Sequence, residues 1–137
     1  MAAFTEKEIA YLGGQRLGRL ATVSSDGQPH TVPVGFHYNP ALDTIEIGGH
    51  NLGKSRKFRD VQREPRVAFV VDDLASVDPW TPRGIEVRGR AEALTYGGEV
   101  LGRGFGQEFI RIYPRRIIGW GIDTPSFGGA NARNVQT

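Results

Sequence analysis

Apolar positions along the chain recur with short periods, predicting a series of strands with two short helices. Thr5-Glu6-Lys7-Glu8 is a capping-box pattern, with Glu8 at the third helical position. Ile9 and Leu12 follow on one face, so a helix is expected from Thr5 to about Leu12, ended by Gly13-Gly14. Leu17, Leu20, Ala21 and Val23 mark a strand over Arg16–Ser24, and Ser25-Asp26-Gly27 is a hairpin signal. The return strand, Pro29–Tyr38, puts His30, Val32, Val34 and Phe36 on one face and Thr31, Pro33, Gly35 and His37 on the other. Pro33 has no N–H to donate, which predicts an irregular or edge strand. Asn39-Pro40 turns the chain into a third strand, Thr44–Gly48.

A second helix is expected from Lys54 or Ser55 to Arg63, with Phe58 and Val61 on one face and Pro65 just past its end. Arg66–Val71 reads as a buried strand and Asp72–Arg83 as a polar loop holding Pro79, Trp80 and Pro82. Gly84–Leu94 alternates cleanly, Ile85, Val87, Gly89 and Ala91 against Glu86, Arg88, Arg90 and Glu92. Gly97–Gly106 is glycine-rich and reads as a loop or a poor helix. Phe109–Tyr113 and Arg115–Ile122 read as two final strands, the second with Ile118, Trp120 and Ile122 on one face and Trp120 read as core. Thr124–Thr137 has little to bury and is expected to be a tail or a closing flap. No repeat or linker divides the chain. Helices are too few for a parallel βαβ sheet, so the expectation is one domain over residues 1–137, mostly β, an antiparallel barrel or sandwich.

Composition narrows the function. The chain has 17 Lys plus Arg and 15 Asp plus Glu, a net charge of +2, too weak a field for binding a polyanion by bulk charge. Phe58 alone interleaves the cations of Lys54–Arg66, so a stacking surface for nucleic acid is not indicated. The absence of Cys excludes disulfides, thiolate metal sites and cysteine nucleophiles. The longest apolar run, Val67–Val71, is far below the ~20 residues of a spanning helix, and no targeting segment is visible. A cytoplasmic protein off the membrane is the expectation. His30, His37 and His50 have no metal-ligand spacing, and Asp72-Asp73 reads as a turn cap. Trp80 and Arg83 share one loop, read either as a local cation–π contact or as a wall and cation for a ring-bearing anion.

The informative segment is Ile47-Gly48-Gly49-His50-Asn51-Leu52-Gly53-Lys54-Ser55-Arg56-Lys57. A strand ends, Gly48 and Gly49 allow close backbone approach, and a helix opens with a hydroxyl and cations. Cations are unfavourable at a helix N-terminus, so Ser55, Arg56 and Lys57 there point to a bound phosphate. With no acid–base or nucleophilic set legible, a phosphorylated cofactor would carry the reaction.

The order of these pieces resembles a known family. Arg19-Leu20-Ala21-Thr22-Val23-Ser24-Ser25-Asp26-Gly27-Gln28-Pro29-His30-Thr31-Val32-Pro33-Val34, then Asp43–Gly49, Ser55-Arg56-Lys57, Pro65–Asp73 and Val87–Glu92, is similar to the pyridoxamine phosphate oxidase-like split β-barrels. It is more similar still to the branch that uses the deazaflavin coenzyme F420. The resemblance implies an FMN-binding-like split barrel, a homodimer with cofactor sites across the interface, and a small-molecule substrate. It implies that Ser55-Arg56-Lys57 holds the cofactor phosphate. Thr31, Val32 and Pro33 would line the ring through backbone contacts, and the Trp80–Arg83 loop would reach the partner's cofactor. FMN in place of F420, or a non-enzymatic cofactor-binding module, remains open. Pyridoxamine phosphate oxidases carry a C-terminal arginine–histidine motif; this tail has Arg133 and no His, which argues against that substrate.

Overall fold

A computed structural model describes residues 2–136. The helices are α1 (Glu6–Gly13) and α2 (Arg56–Arg63). The strands are β1 (Leu17–Val23), β2 (Pro29–Gly35), β3 (His37–Asn39), β4 (Thr44–Ile47), β5 (Arg66–Ser76), β6 (Thr81–Leu94), β7 (Phe109–Trp120) and β8 (Asn131–Asn134). Each pairing is antiparallel, in the order β2-β1-β5-β6-β7-β4-β3, with β8 also on β7. The end strands β2 and β3 are joined in the chain through Phe36 alone, so the sheet curls back on itself as a split antiparallel barrel. This mostly β architecture is the one the sequence predicts. Among the described residues no helix is long and apolar enough to cross a membrane.

Local chemistry sets both helices. Thr5 Oγ1 accepts from Glu8 N (3.1 Å) and Glu8 Oε1 accepts from Thr5 N (2.9 Å), completing the capping box of α1. Ser55 Oγ accepts from Phe58 N and caps α2. Pro33 sits on edge strand β2, where its missing donor breaks no inner ladder. The core is built from inward positions of the strands, including Leu20, Ile45, Ile47, Phe69, Val71, Ile85, Val87, Ile110, Ile112 and Ile117, with Leu12, Phe58 and Val61 from the helices.

Three expectations are corrected. Asp72–Arg83 is not a polar loop: β5 and β6 continue through it as a long ribbon with its turn at residues 77–80. Asp73 and Arg83 face each other in register and are ion-paired, so charges read as loop residues hold the extension together. The two final strands are one, β7, and Pro114 is buried within it. Gly89 pairs with Pro114 and Arg88 with Arg116, leaving Arg115 unopposed. This bulge reverses the alternation: Ile110, Ile112 and Pro114 point inward before it, Ile117 and Gly119 after it. Ile118 and Trp120 are therefore on the outer face, half-buried, and Trp120 is not core. Within the terminal segment, β8 lies along β7, and Arg133 donates to Glu8 Oε2 (3.0 Å), to Glu8 Oε1 and to the Ala3 carbonyl (2.9 Å). Glu8 is fully buried, so Arg133 neutralises a carboxylate inside the protein and ties the C-terminal strand to α1.

Candidate functional site

Strand β4 ends at Ile47, a short turn of 3-10 helix covers Leu52–Lys54, and α2 opens at Arg56. Gly48 is required by packing, since a Cβ there would stand 2.8 Å from the Phe105 ring; at Gly49 nothing lies nearer than 4.0 Å. The Ser55 hydroxyl is already engaged at both ends. It donates to the Leu52 carbonyl at 2.6 Å and accepts from Phe58 N at 3.3 Å, so its part is to fix the first turn of α2.

Arg56 opens onto a cavity of about 440 Å³ between α2 and the β1–β2 hairpin, shared with Ser24, Ser25, Asp26, Arg59 and Arg63. Arg63 bonds the Val23 carbonyl (2.7 Å) and pairs with buried Asp60. Asp60 in turn accepts from Thr22 at 2.8 Å. Asp26 accepts from Ser24 Oγ and Gln28 N, which hold its carboxyl below the usual range. Among the described residues neither Arg56 nor Arg59 has a carboxylate within salt-bridge distance, and Lys54 and Lys57 have none either. Lys57 does not line this cavity. It is half-buried, and loss of water lowers its affinity for the proton. Arg56 and half-buried Lys57 thus stand at the positive end of α2 with no carboxylate within salt-bridge distance among the described residues, while Asp26 and Asp60 share the cavity that Arg56 lines. His30 lies in register with Thr22, whose hydroxyl holds Asp60 of α2, and its Nδ1 is buried with no hydrogen-bond partner among the described residues.

Thr31, Val32 and Pro33 lie on β2, whose second edge has no sheet neighbour among the described residues and so offers free backbone groups. Trp80 and Arg83 are elsewhere. They follow the far end of β5, an 11-residue strand spanning about 35 Å, while α2 precedes its near end. Arg83 is held by Asp73 (2.7 and 3.0 Å) and stacks over Tyr11 at 4.9 Å, so its cation–π partner is Tyr11. The Arg83 hydrogen bonds, helped by Tyr11 and Gln15, hold the Asp73 carboxyl down at about 2. Trp80 is exposed at the ribbon tip. One chain thus brings together the basic turn and the β1–β2 hairpin, and leaves Trp80 and Arg83 apart from them. The sequence reading missed Arg59 and the Ser24–Asp26 turn as neighbours of Arg56. The spacing of 56, 59 and 63 on one helical face was the available signal.

The buried acids are structural: Glu8 holds Arg133, Asp60 holds Thr22, and Glu46 accepts from Arg111 at 2.7 Å and Asn39 at 2.9 Å. Among the described residues no group of three His, Asp or Glu could hold a metal ion.

The profile of the family described as pyridoxamine 5'-phosphate oxidase matches residues 4–118. The chain belongs to that family. A 5a,11a-dehydrotetracycline/5a,11a-dehydrooxytetracycline reductase of Streptomyces rimosus subsp. rimosus is 48% identical over 132 residues, 96% of this chain and 93% of that protein. Among solved structures, a conserved hypothetical protein of Mycobacterium tuberculosis superposes with a TM-score of 0.67 at 26% identity, covering 88% of this chain and 86% of that one. A FAD-binding protein of Mesorhizobium loti shares the fold, with a TM-score of 0.62 at 24% identity over 85% of this chain and 94% of its own.

Proposed function

We propose that the protein is an oxidoreductase that uses coenzyme F420 to reduce an unsaturated organic small molecule, and that it works as a homodimer. The observation that carries this is the first turn of α2, where Arg56 and half-buried Lys57 stand without carboxylate partners at a helix N-terminus. The reductase name of the 48% identical relative supports the reaction class. When bound, the reduced deazaflavin supplies the hydride. The chain's residues bind and orient. Arg56 and Lys57 hold the phosphate, Ser55 keeps the turn's backbone donors in place, Gly49 allows close approach, and Thr31, Val32 and Pro33 offer the backbone edge of β2 to the ring. Arg133 is committed to Glu8, which supports a substrate other than pyridoxamine phosphate.

Dimerisation is supported by the outer face of β1, β2, β5, β6 and β7. There Ala21, Thr31, Ala68, Val70 and Trp120 form a shallow, mainly apolar depression of about 290 Å³. Exposed ion pairs Arg19–Asp72 and Arg88–Glu86 flank it. A second copy on this face would cover it and carry the Trp80–Arg83 ribbon of one chain towards the basic turn of the other. Fluorescence titration of the purified protein with F420 and, in parallel, FMN tests the cofactor. Tight F420 binding and weak FMN binding is the expected result. The reverse order moves the protein to the flavin branch, since FMN's phosphate monoester suits the same turn. Binding of neither overturns the proposal.

A further inference from the structure

An apolar groove of about 640 Å³ lies between α1 and the junction of β2 with β3. That volume suits a small organic molecule, which needs roughly 300–1,000 Å³. Leu12, Phe36, Tyr38 and Phe105 supply its aliphatic and aromatic walls. The groove shares no residue with the depression assigned to the second copy.

Its place in the fold is beside the backbone edge offered to the cofactor ring. Gly35, which lines it, stands about 7 Å past Pro33 along the same strand. Phe105 forms the opposite side. Its ring fills the space over Gly48 and Gly102, where a Cβ would stand 2.8 and 2.5 Å away. The next residue, Gly106, donates its N–H to the Gly49 carbonyl at 3.1 Å. One ring thus borders both the glycine turn and the groove, so a molecule in the groove would abut a ring held at β2 and Gly49.

The polar groups on the wall define the ligand's charge. The lining holds Arg16 and His37 and no carboxylate. The Tyr38 hydroxyl donates to Asp43, and Gln15 Nε2 donates to Asp73 at 3.0 Å. Arg16 has no carboxylate within salt-bridge distance among the described residues. A guanidinium only donates and a carboxylate only accepts, through two oxygens that match the guanidinium fork. Arg16 and His37 are both exposed, so the charged end stays at the mouth, in reach of water, while the apolar body enters.

We propose that this groove is the substrate pocket and takes an apolar organic acid, its carboxylate held by Arg16 and its body packed on Phe105. The inference deepens the oxidoreductase reading by naming a substrate class, and rests on that reading only in taking the bound acid as the reactant. Calorimetric titration with trans-cinnamate and with cinnamyl alcohol, the same body without the charge, tests it. Cinnamate should bind saturably and about tenfold more tightly than the alcohol. Arg16→Gln should raise the cinnamate dissociation constant about tenfold and leave that of the alcohol unchanged, and Arg16→Lys should recover part of the loss. Phe105→Leu should weaken both ligands alike, by about three- to tenfold. Arg16 is exposed and unpaired, so its variants read binding without disturbing the fold. Absence of saturable cinnamate binding, equal affinity for acid and alcohol, or an unchanged cinnamate constant in Arg16→Gln overturns the proposal. So does unchanged binding of both ligands by Phe105→Leu, which would put the acid at another cation. Arg16-dependent cinnamate binding by a protein that takes neither F420 nor FMN supports the groove and sinks the oxidoreductase reading alone.

Discussion

Replacing Arg56 by Gln and Lys57 by Met should move stability and affinity in opposite directions. Both cations occupy the first turn of α2, where the helix end is itself positive, and neither has a carboxylate partner. Each unfavourable placement costs about 0.3–1 kcal/mol, and Met keeps the stem contacts of the half-buried Lys57. The unliganded double variant should therefore gain about 0.6–2 kcal/mol, a rise in Tm of roughly 2–7 °C. The same two side chains would each give a phosphate a charge-assisted contact of about 1.5–3 kcal/mol. Losing both should weaken cofactor binding by at least about 3 kcal/mol, more than a hundredfold. Urea unfolding without ligand and a fluorescence titration with cofactor measure the two quantities on one preparation. A less stable variant would mean that the cations stabilise the helix. Unchanged affinity in a folded variant would refute the site.

Lys57 also predicts a pH dependence. Burial lowers its proton affinity and a bound anion would restore it, so anion affinity should fall as pH rises through the lowered value, and Lys57→Met should abolish that fall. Arg133→Met leaves fully buried Glu8 unpaired and should cost about 3–5 kcal/mol by urea unfolding, with Glu8→Gln recovering much of the loss; a cost below about 1 kcal/mol would contradict the buried pair. Asp73 has a folded value of about 2, below its unfolded one, so its contribution is complete above the ordinary carboxylate range of about 3.9 and is lost as pH falls towards 2. Asp73→Asn should accordingly flatten that part of the acid limb, and a parallel limb would refute the assignment. At Gly18 an added Cβ would lie 2.3 Å from the Phe69 ring, itself 1% exposed, so Gly18→Ala should cost about 1–3 kcal/mol, with Phe69→Leu restoring part of it in a double-mutant cycle.

The sequence by itself determined the local features. The Thr5–Glu8 box, the Ser55 cap, the Asp26-Gly27 hairpin and the edge position of Pro33 all follow from chemistry reaching only a few residues along the chain. The clean alternation of Gly84–Leu94 likewise fixed which side of β6 is buried. The basic turn was legible because cations at a helix start are anomalous without any knowledge of the fold. Tertiary structure decided what depends on distant partners. Asp72–Arg83 reads as a loop until Arg83 is set opposite Asp73. Trp120 reads as core because one unopposed residue at Arg115, visible only against β6, inverts every later position of β7. Nothing near Arg133 in the chain assigns its partner; β8 brings it to Glu8, 125 positions away. The separation of Trp80 from Arg56 follows from the length of β5. Periodicity reports which face a residue occupies within its own element; only the folded sheet sets which elements that face meets.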